Sequence, residues 1–105
     1  MSDALDRLFA TIATRKGADP ASSYTAKLLA EGVEKCAKKF GEEATEAVIA
    51  AISRDKTELA KESADVLYHL AVLWAASGIT PDEVYAVLRA REGRSGLEEK
   101  AARKG

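Results

Sequence analysis

The chain has 105 residues, of which 47% are apolar, and this composition predicts one folded domain over residues 1–105 and excludes a disordered polymer. The 16 basic and 17 acidic residues give a formal charge of −1, which lacks the basic excess of a general nucleic-acid binder. The single cysteine, Cys36, excludes an intrachain disulfide framework and a cysteine-rich zinc site.

The first predicted helix covers residues 3–16, where Leu5, Leu8, Phe9 and Ile12 recur at helical spacing. Charged residues interrupt this segment every few positions, so it lacks the apolar core of a signal peptide. No other run of the sequence approaches the length of a membrane span. We therefore expect a cytoplasmic protein that has no membrane partner.

A polar segment over residues 17–23 contains glycine and proline and predicts a surface loop before the second helix. That helix begins at Tyr24, where Ser22 or Ser23 is the expected cap. We expect it to be interrupted or to end near Gly32.

The third predicted helix begins within residues 31–34 and ends before the polar turn at residue 53. Glu43 lies on its apolar side, three residues after Phe40 and four before Ala47, whereas a solvated glutamate would lie on the opposite side. Gly41 costs about 1 kcal/mol relative to alanine inside a helix, which suggests close approach by a neighbouring backbone or a ligand. The residues expected to form the apolar stripe are Val33, Cys36, Ala37, Phe40, Ala44, Ala47, Val48 and Ala51.

The fourth predicted helix follows Asp55, which forms a capping box with Glu58, and it runs to about Ser77 before Gly78. The short connection to the third helix favours antiparallel pairing. Glu62 lies on a half-buried side of this helix. The residues expected to face inward are Leu59, Val66, Leu67, Leu70, Leu73 and Trp74.

The fifth predicted helix is capped by Thr80, carries Pro81 in its first turn and Glu83 as the capping-box acid, and runs to about Arg91. Residues 92–105 are rich in charge and glycine and predict a flexible tail. No segment shows a strand pattern, so the predicted fold is all-α. The residues expected to face inward are Val84, Val87 and Leu88.

Two carboxylate clusters stand on the sides where the third and fourth helices would meet, with Glu42, Glu43 and Glu46 on one helix. Glu62 and Asp65 form the cluster on the other. Carboxylates that converge in a partly apolar seam repel one another, so protonation, lysine pairing or a divalent cation must compensate. The all-oxygen ligand set favours a hard ion, with Mg²⁺ as the default and Mn²⁺ as a substitute.

A Mg²⁺ ion bound by a few carboxylates keeps positions open for water and for phosphate oxygens. Lys35, Lys38 and Lys39 precede the first cluster and could hold an anionic ligand beside the ion. A purely structural interpretation remains open, in which the glutamates and lysines only form the solvated faces of their helices. His69 is interpreted as a packed or hydrogen-bonding residue more often than as a metal ligand.

The acidic pattern, Glu42-Glu43-x-x-Glu46 followed by Glu62-x-x-Asp65, resembles the E-E-x-x-E and E-x-x-D signature of MazG-type all-α nucleotide pyrophosphohydrolases. Around it, four further segments closely resemble the phosphoribosyl-ATP pyrophosphatase family: residues 23–28, 34–43, 64–70 and 91–96. Together these segments span nearly the whole chain after Pro20.

This resemblance implies Mg²⁺-dependent hydrolysis of 1-(5-phosphoribosyl)-ATP to 1-(5-phosphoribosyl)-AMP and diphosphate, the second step of histidine biosynthesis. It implies an antiparallel bundle of four to five helices that is completed by dimerisation, and the small size of the chain also favours a homodimer or a higher homo-oligomer. The implied metal ligands are Glu43, Glu46, Glu62 and Asp65. Glu42 fits an additional ligand or a water-orienting base, so the predicted catalytic residues are Glu42 and Glu43. By motif position and charge, the predicted substrate-binding residues are Tyr24, Lys27, Lys35, Lys39, Arg91 and Arg94.

Two other functions remain open from the residues alone. The acidic signature does not indicate which nucleobase the substrate carries. The chain could therefore be a house-cleaning pyrophosphatase that acts on ordinary or damaged nucleoside triphosphates. From a different class, it could be a non-catalytic helical dimerisation module whose acidic residues only face solvent. A substrate panel separates the two enzymes, and Mg²⁺ binding separates either enzyme from the module.

Overall fold

The computed structural model describes residues 3–93, and every regular element in this part of the chain is a helix. This confirms the all-α prediction. No helix within the same residues has both the length and the apolar composition that a membrane span requires. The five helices are α1 (Asp3–Thr14), α2 (Tyr24–Glu31), α3 (Val33–Ile52), α4 (Lys56–Ser77) and α5 (Pro81–Ala90).

Side-chain caps fix where three of these helices begin. The Ser23 hydroxyl accepts a hydrogen bond from the Ala26 backbone N–H at 3.2 Å and starts α2. Asp55 accepts from the Glu58 N–H at 3.0 Å and starts α4. Thr80 makes the predicted capping box and starts α5. Each cap satisfies a backbone donor that has no partner within its helix, so these sequence signals place the helix starts correctly.

Helices α3 and α4 form the central pair of the fold. Only residues 53–55 separate them, so they run antiparallel, and they make the most extensive interhelical contact in the described chain. Four helices contribute to the buried core, whose residues are Ile12 of α1, Leu28 of α2, Cys36 of α3, and Ala71, Val72 and Ala75 of α4. The small side chains on α4 allow the neighbouring helices to pack closely against it.

Helix α5 is joined to α1 by one specific contact. The Tyr85 hydroxyl donates a hydrogen bond to the Asp6 carboxylate at 2.9 Å, and Tyr85 is buried. Burial raises the pKa of the Tyr85 hydroxyl, and the hydrogen bond to Asp6 raises it further. The apolar periodicity of α5 did not indicate this tyrosine as its buried anchor.

Part of the predicted core is wrong, because several residues that were expected to face inward are exposed. Periodicity identifies a broad apolar stripe, whereas burial depends on how each helix is rotated about its axis against its neighbours. In α3 the buried positions are taken by the small residues Cys36 and Ala50, whereas α4 buries the predicted Trp74. The exposed residues are Val33, Ala37, Val48, Ala51, Leu67, Val87 and Leu88.

Gly41 does not have the close neighbour that its place in a helix suggests. It is exposed within α3, and apart from its chain neighbours and the backbone of its own helix no described atom lies within 4 Å of the position that a Cβ would occupy. We therefore expect Gly41→Ala to raise the free energy of unfolding by about 0.5–1 kcal/mol, because alanine restricts the unfolded chain and favours helix. Urea denaturation measures this change.

Gly78→Ala is the matched control for that substitution. Gly78 ends α4 with φ at +77°, a left-handed conformation that disfavours any Cβ, and its surroundings are equally open. It should therefore lose stability where the Gly41 variant gains it. A loss of stability at Gly41 would show instead that another chain or a ligand approaches that position.

Candidate active site

Three carboxylates meet on the facing sides of α3 and α4. Glu43 comes from α3, and Glu62 and Asp65 come from α4, three residues apart and therefore on one side of that helix. One carboxylate oxygen of each lies within 4.8 Å of the others, and all three residues are half-buried. We call this group the acidic triad. It brings together three of the four predicted metal ligands.

One carboxyl group of the acidic triad, that of Glu62, lies in an unfavourable electrostatic environment. The pKa of Glu62 is raised, first by a hydrogen bond with the Glu58 carboxyl group, then by burial, and then by the charge of Asp65. Glu58 lies four residues before Glu62 on the same helix, and it was not among the predicted ligands. Its place in the stripe of Glu58, Glu62 and Asp65 is the sequence signal that could have identified it. A bound cation would relieve this repulsion.

The geometry of the acidic triad fits a hard divalent ion. Mg²⁺ binds oxygen at about 2.0–2.1 Å, so two oxygens on opposite sides of one ion lie about 4.2 Å apart. The three carboxylate oxygens lie within 4.8 Å of one another, so small side-chain rotations would bring them to that spacing. The donors are all oxygens, and the only thiol, Cys36, is buried and donates to the Leu28 carbonyl. These features match the ligand preferences of Mg²⁺ or Mn²⁺.

The other two acids of the first cluster lie outside the acidic triad. Glu46 is exposed, one helical turn after Glu43, and does not belong to the described three-residue group. Glu42 is also exposed and forms an ion pair with Lys39, with 3.1 Å between its Oε2 and the lysine Nζ. The hydrogen bond from Lys39 lowers the pKa of Glu42, and the same bond raises the pKa of Lys39.

A basic cavity of about 210 Å³ lies between α2 and α3. Four of the six predicted substrate-binding residues line it, together with Leu28 and Glu31, and they are Tyr24, Lys27, Lys35 and Lys39. Helical spacing explains the set, because the two lysines on α3 are four residues apart and Tyr24 and Lys27 are three apart on α2. The three ammonium groups outnumber the one carboxylate, which favours an anionic occupant.

Two contacts link residues of the basic cavity to residues that lie near the acidic triad along α3 and α4. Lys39 lines the cavity and is paired with Glu42, the residue next to Glu43. Tyr24 also lines the cavity, and its ring meets that of His69 edge-on with 6.4 Å between centroids. His69 lies four residues after Asp65, on the same side of α4. Lys39, which lines the cavity, also lies one helical turn before Glu43 of the acidic triad on α3.

Arg91, one of the two predicted arginines, does not line the basic cavity. Arg91 follows α5 and lines a separate cavity of about 350 Å³, whose other lining residues are Ile79, Glu83, Val84, Val87 and Leu88. That cavity is larger but mostly apolar, so it does not suit a polyphosphate. Arg94 lies outside the described residues. A role for either arginine in binding phosphate remains a prediction.

His69 and its neighbour Tyr68 were not predicted as site residues, whereas its other aromatic neighbour, Tyr24, was predicted to bind substrate. The imidazole is buried, with 6% of the residue exposed, and it packs against the rings of Tyr24 and Tyr68. Tyr68 shares a hydrogen bond with Thr25, which ties α2 to α4. The only sequence signal was the position of His69 in the same stripe as Glu62 and Asp65.

The sequence is similar to proteins of known activity along nearly all of its length. The sequence profile of the family described as phosphoribosyl-ATP pyrophosphohydrolase matches residues 5–92. A phosphoribosyl-ATP pyrophosphatase of Parvibaculum lavamentivorans is 67% identical over 99 residues, which cover 94% of this chain and 91% of the relative. The protein of that name from Cereibacter sphaeroides is 65% identical, with 94% and 96% covered. That of Rhodobacter capsulatus is 62% identical, with 95% and 97% covered. The chain therefore belongs to the phosphoribosyl-ATP pyrophosphohydrolase family.

Proposed function

We propose that this chain hydrolyses 1-(5-phosphoribosyl)-ATP to 1-(5-phosphoribosyl)-AMP and diphosphate, which is the second step of histidine biosynthesis. The observation that carries the proposal is the acidic triad beside a lysine-lined cavity in a member of this family. The acidic triad suits a metal ion that acts on phosphates, and the lysines suit the negatively charged phosphates on either side of the cleaved bond.

The acidic triad is the proposed Mg²⁺ site, with Glu43, Glu62 and Asp65 as its protein ligands. When bound, Mg²⁺ supplies positive charge to the phosphate oxygens and lowers the pKa of coordinated water. Glu46 remains a proposed fourth ligand, because its position one turn from Glu43 leaves it near the same side of α3.

The lysines of the basic cavity are the proposed phosphate-binding groups. Lys27, Lys35 and Lys39 hold the terminal phosphates and orient the bond between the α and β phosphorus atoms toward the acidic triad. Their positive charge also compensates the charge that develops on the departing diphosphate. Tyr24 forms the wall of the cavity that faces His69.

Glu42 is the proposed general base. Its ion pair with Lys39 makes its basicity depend on whether substrate is bound. Exposed ion pairs are weak, so a phosphate oxygen competes readily for the Lys39 ammonium group. Once Lys39 binds phosphate, Glu42 loses the hydrogen bond that lowers its pKa and becomes a better proton acceptor. Substrate binding would in this way prepare the base that takes the proton from the attacking water.

The test is the release of diphosphate by the purified protein from a panel of nucleotides with Mg²⁺. We expect turnover of phosphoribosyl-ATP, at least about 100-fold slower release from ATP and dATP, and loss of activity with a chelator that added Mg²⁺ restores. Faster turnover of ordinary nucleoside triphosphates would identify the house-cleaning enzyme instead. No release from any substrate, together with no Mg²⁺ binding in calorimetry, would favour the dimerisation module.

We also propose a cytoplasmic homodimer. The support is the number of large apolar side chains that the single chain leaves exposed, among them Val48, Ile49 and Ile52 on α3 and Val87 and Leu88 on α5. A small helical domain commonly buries such residues by association. A monomeric mass in sedimentation equilibrium at micromolar concentration would contradict this proposal.

A further inference from the structure

The imidazole of His69 carries a polar atom that the fold does not use. Its Nδ1 is shielded from solvent and has no hydrogen-bond partner within residues 3–93. The rest of the ring is held by aromatic contacts, with the Tyr68 ring at 4.9 Å and the Tyr24 ring at 6.4 Å between centroids. A phenyl ring would make the same contacts without burying an unpaired nitrogen, so histidine costs stability at this position.

The location of His69 indicates where the missing partner comes from. Asp65 stands one turn before it on α4, and the negative charges of Glu43, Asp65 and Glu42 and the positive charge of Lys39 all act on its ring. Burial is the main influence, and it lowers the pKa of His69, which favours the neutral ring, in which one nitrogen donates a hydrogen bond and the other accepts one. His69 thus contacts Tyr24 of the basic cavity and lies within electrostatic range of two members of the acidic triad.

Of the two aromatic neighbours of His69, Tyr24 is the one whose side chain has room to rotate. Tyr68 is half-buried and its hydroxyl is hydrogen-bonded to Thr25, whereas Tyr24 is 53% exposed and stands at the start of α2, on the wall of the basic cavity. The contact with Tyr24 is also the longer of the two. A rotation of the Tyr24 side chain would expose the edge of the imidazole to the cavity without disturbing the core.

We propose that His69 is a substrate-binding residue, whose Nδ1 donates a hydrogen bond to a phosphate oxygen that enters the basic cavity when the Tyr24 ring turns aside. The nitrogen then lacks a hydrogen-bond partner in the free protein and gains one only when substrate is bound. This assignment rests on the proposed function, because it takes the phosphates of the nucleotide as the occupants of the basic cavity.

Two substitutions of His69 separate binding from packing. His69→Phe keeps the aromatic contacts and removes both nitrogens, so its melting temperature should equal or exceed that of the wild type. Its kcat/KM for phosphoribosyl-ATP should fall about 10- to 100-fold, the range for a hydrogen bond to a charged group. His69→Asn loses ring packing but places an amide nitrogen near the position of Nδ1. It should therefore be less stable than the Phe variant and yet more active per folded molecule.

Inorganic diphosphate with Mg²⁺ provides a readout that does not depend on turnover. It should raise the melting temperature of the wild type more than that of His69→Phe. Tyr85→Phe is the control, since it removes a buried hydroxyl hydrogen bond between α5 and α1 and should leave kcat/KM unchanged per folded molecule.

The inference is overturned if His69→Phe retains kcat/KM within about 2-fold and gains the same stabilisation from diphosphate as the wild type. It is also overturned if activity follows stability, with the Phe variant more active than the Asn variant. Failure of the wild-type protein to cleave phosphoribosyl-ATP would count against the proposed function alone, because the diphosphate comparison still tests His69.

Discussion

Glu43→Gln is expected to lower kcat for phosphoribosyl-ATP by at least about 100-fold while the protein remains folded. Glu43 is the only member of the acidic triad on α3, so without its carboxylate the site would have ligands from α4 alone. Glutamine keeps the shape of the side chain and removes the charge that a divalent cation requires. Steady-state kinetics at saturating substrate measure the effect, and circular dichroism monitors the fold.

The substitutions Glu62→Gln and Asp65→Asn should have effects of the same order, because the three carboxylates share one ion. Raising the Mg²⁺ concentration should restore part of the lost rate in each case, since a site with one ligand fewer binds the ion more weakly. The Mg²⁺ concentration that gives half-maximal rate is therefore the second measurement. Unchanged kinetics in any of the three variants would contradict the proposed metal site.

Glu34→Gln is the matched control for Glu43→Gln. It makes the same chemical change on α3, at an exposed position outside the acidic triad. We expect its kcat to be unchanged. Glu46→Gln tests the remaining predicted ligand, because an effect as large as that of Glu43→Gln would show that Glu46 also binds the ion. A wild-type rate would limit the protein ligands to the acidic triad.

Lys39→Met is expected to reduce kcat/KM about 10- to 100-fold, as for the loss of a charge-assisted hydrogen bond to phosphate. Methionine keeps much of the stem and removes the ammonium group that lines the basic cavity. Lys38→Met is the control, since Lys38 is the adjacent exposed residue and does not line that cavity. Equal losses in the two variants would indicate a general effect of charge and would contradict a specific phosphate contact.

The Lys39 variant also tests Glu42 through the pH dependence of kcat/KM. Lys39 holds the pKa of Glu42 below its usual range in the free protein. A general base is active above its pKa, so its lowered pKa extends the activity of the free enzyme to lower pH. Without Lys39 the pKa of Glu42 rises, and the acidic limb of the profile should move to higher pH. An acidic limb that does not move would argue against Glu42 as the base.

The ends of the helices could be predicted from the sequence because their causes are local. Ser23, Asp55 and Thr80 each bond to a backbone N–H three residues ahead, and Gly78 adopts the left-handed conformation that ends α4. None of these contacts depends on a distant part of the chain. The family was also predicted correctly, since the motif segments are linear patterns.

The buried side of each helix could not be predicted as well. Val48, Leu67 and Val87 lie on apolar stripes and are nevertheless exposed, whereas Tyr85 and His69 are buried. An amphipathic pattern permits a range of helix rotations, and the sum of many small packing contacts selects one of them. Exposed apolar residues are also compatible with the proposed dimer, which the single chain does not contain.

The sequence by itself determined the five helices, the family and the two acidic clusters, because caps, periodicity and residue spacing act within a few residues of the chain. The tertiary structure decided which members of those clusters converge. It brought Glu43 close to Glu62 and Asp65, left Glu46 outside the acidic triad, and buried His69 against Tyr24 of the basic cavity. Spacing places side chains on one face of a helix, but only the packing of α2, α3 and α4 fixes the distances between groups on different helices.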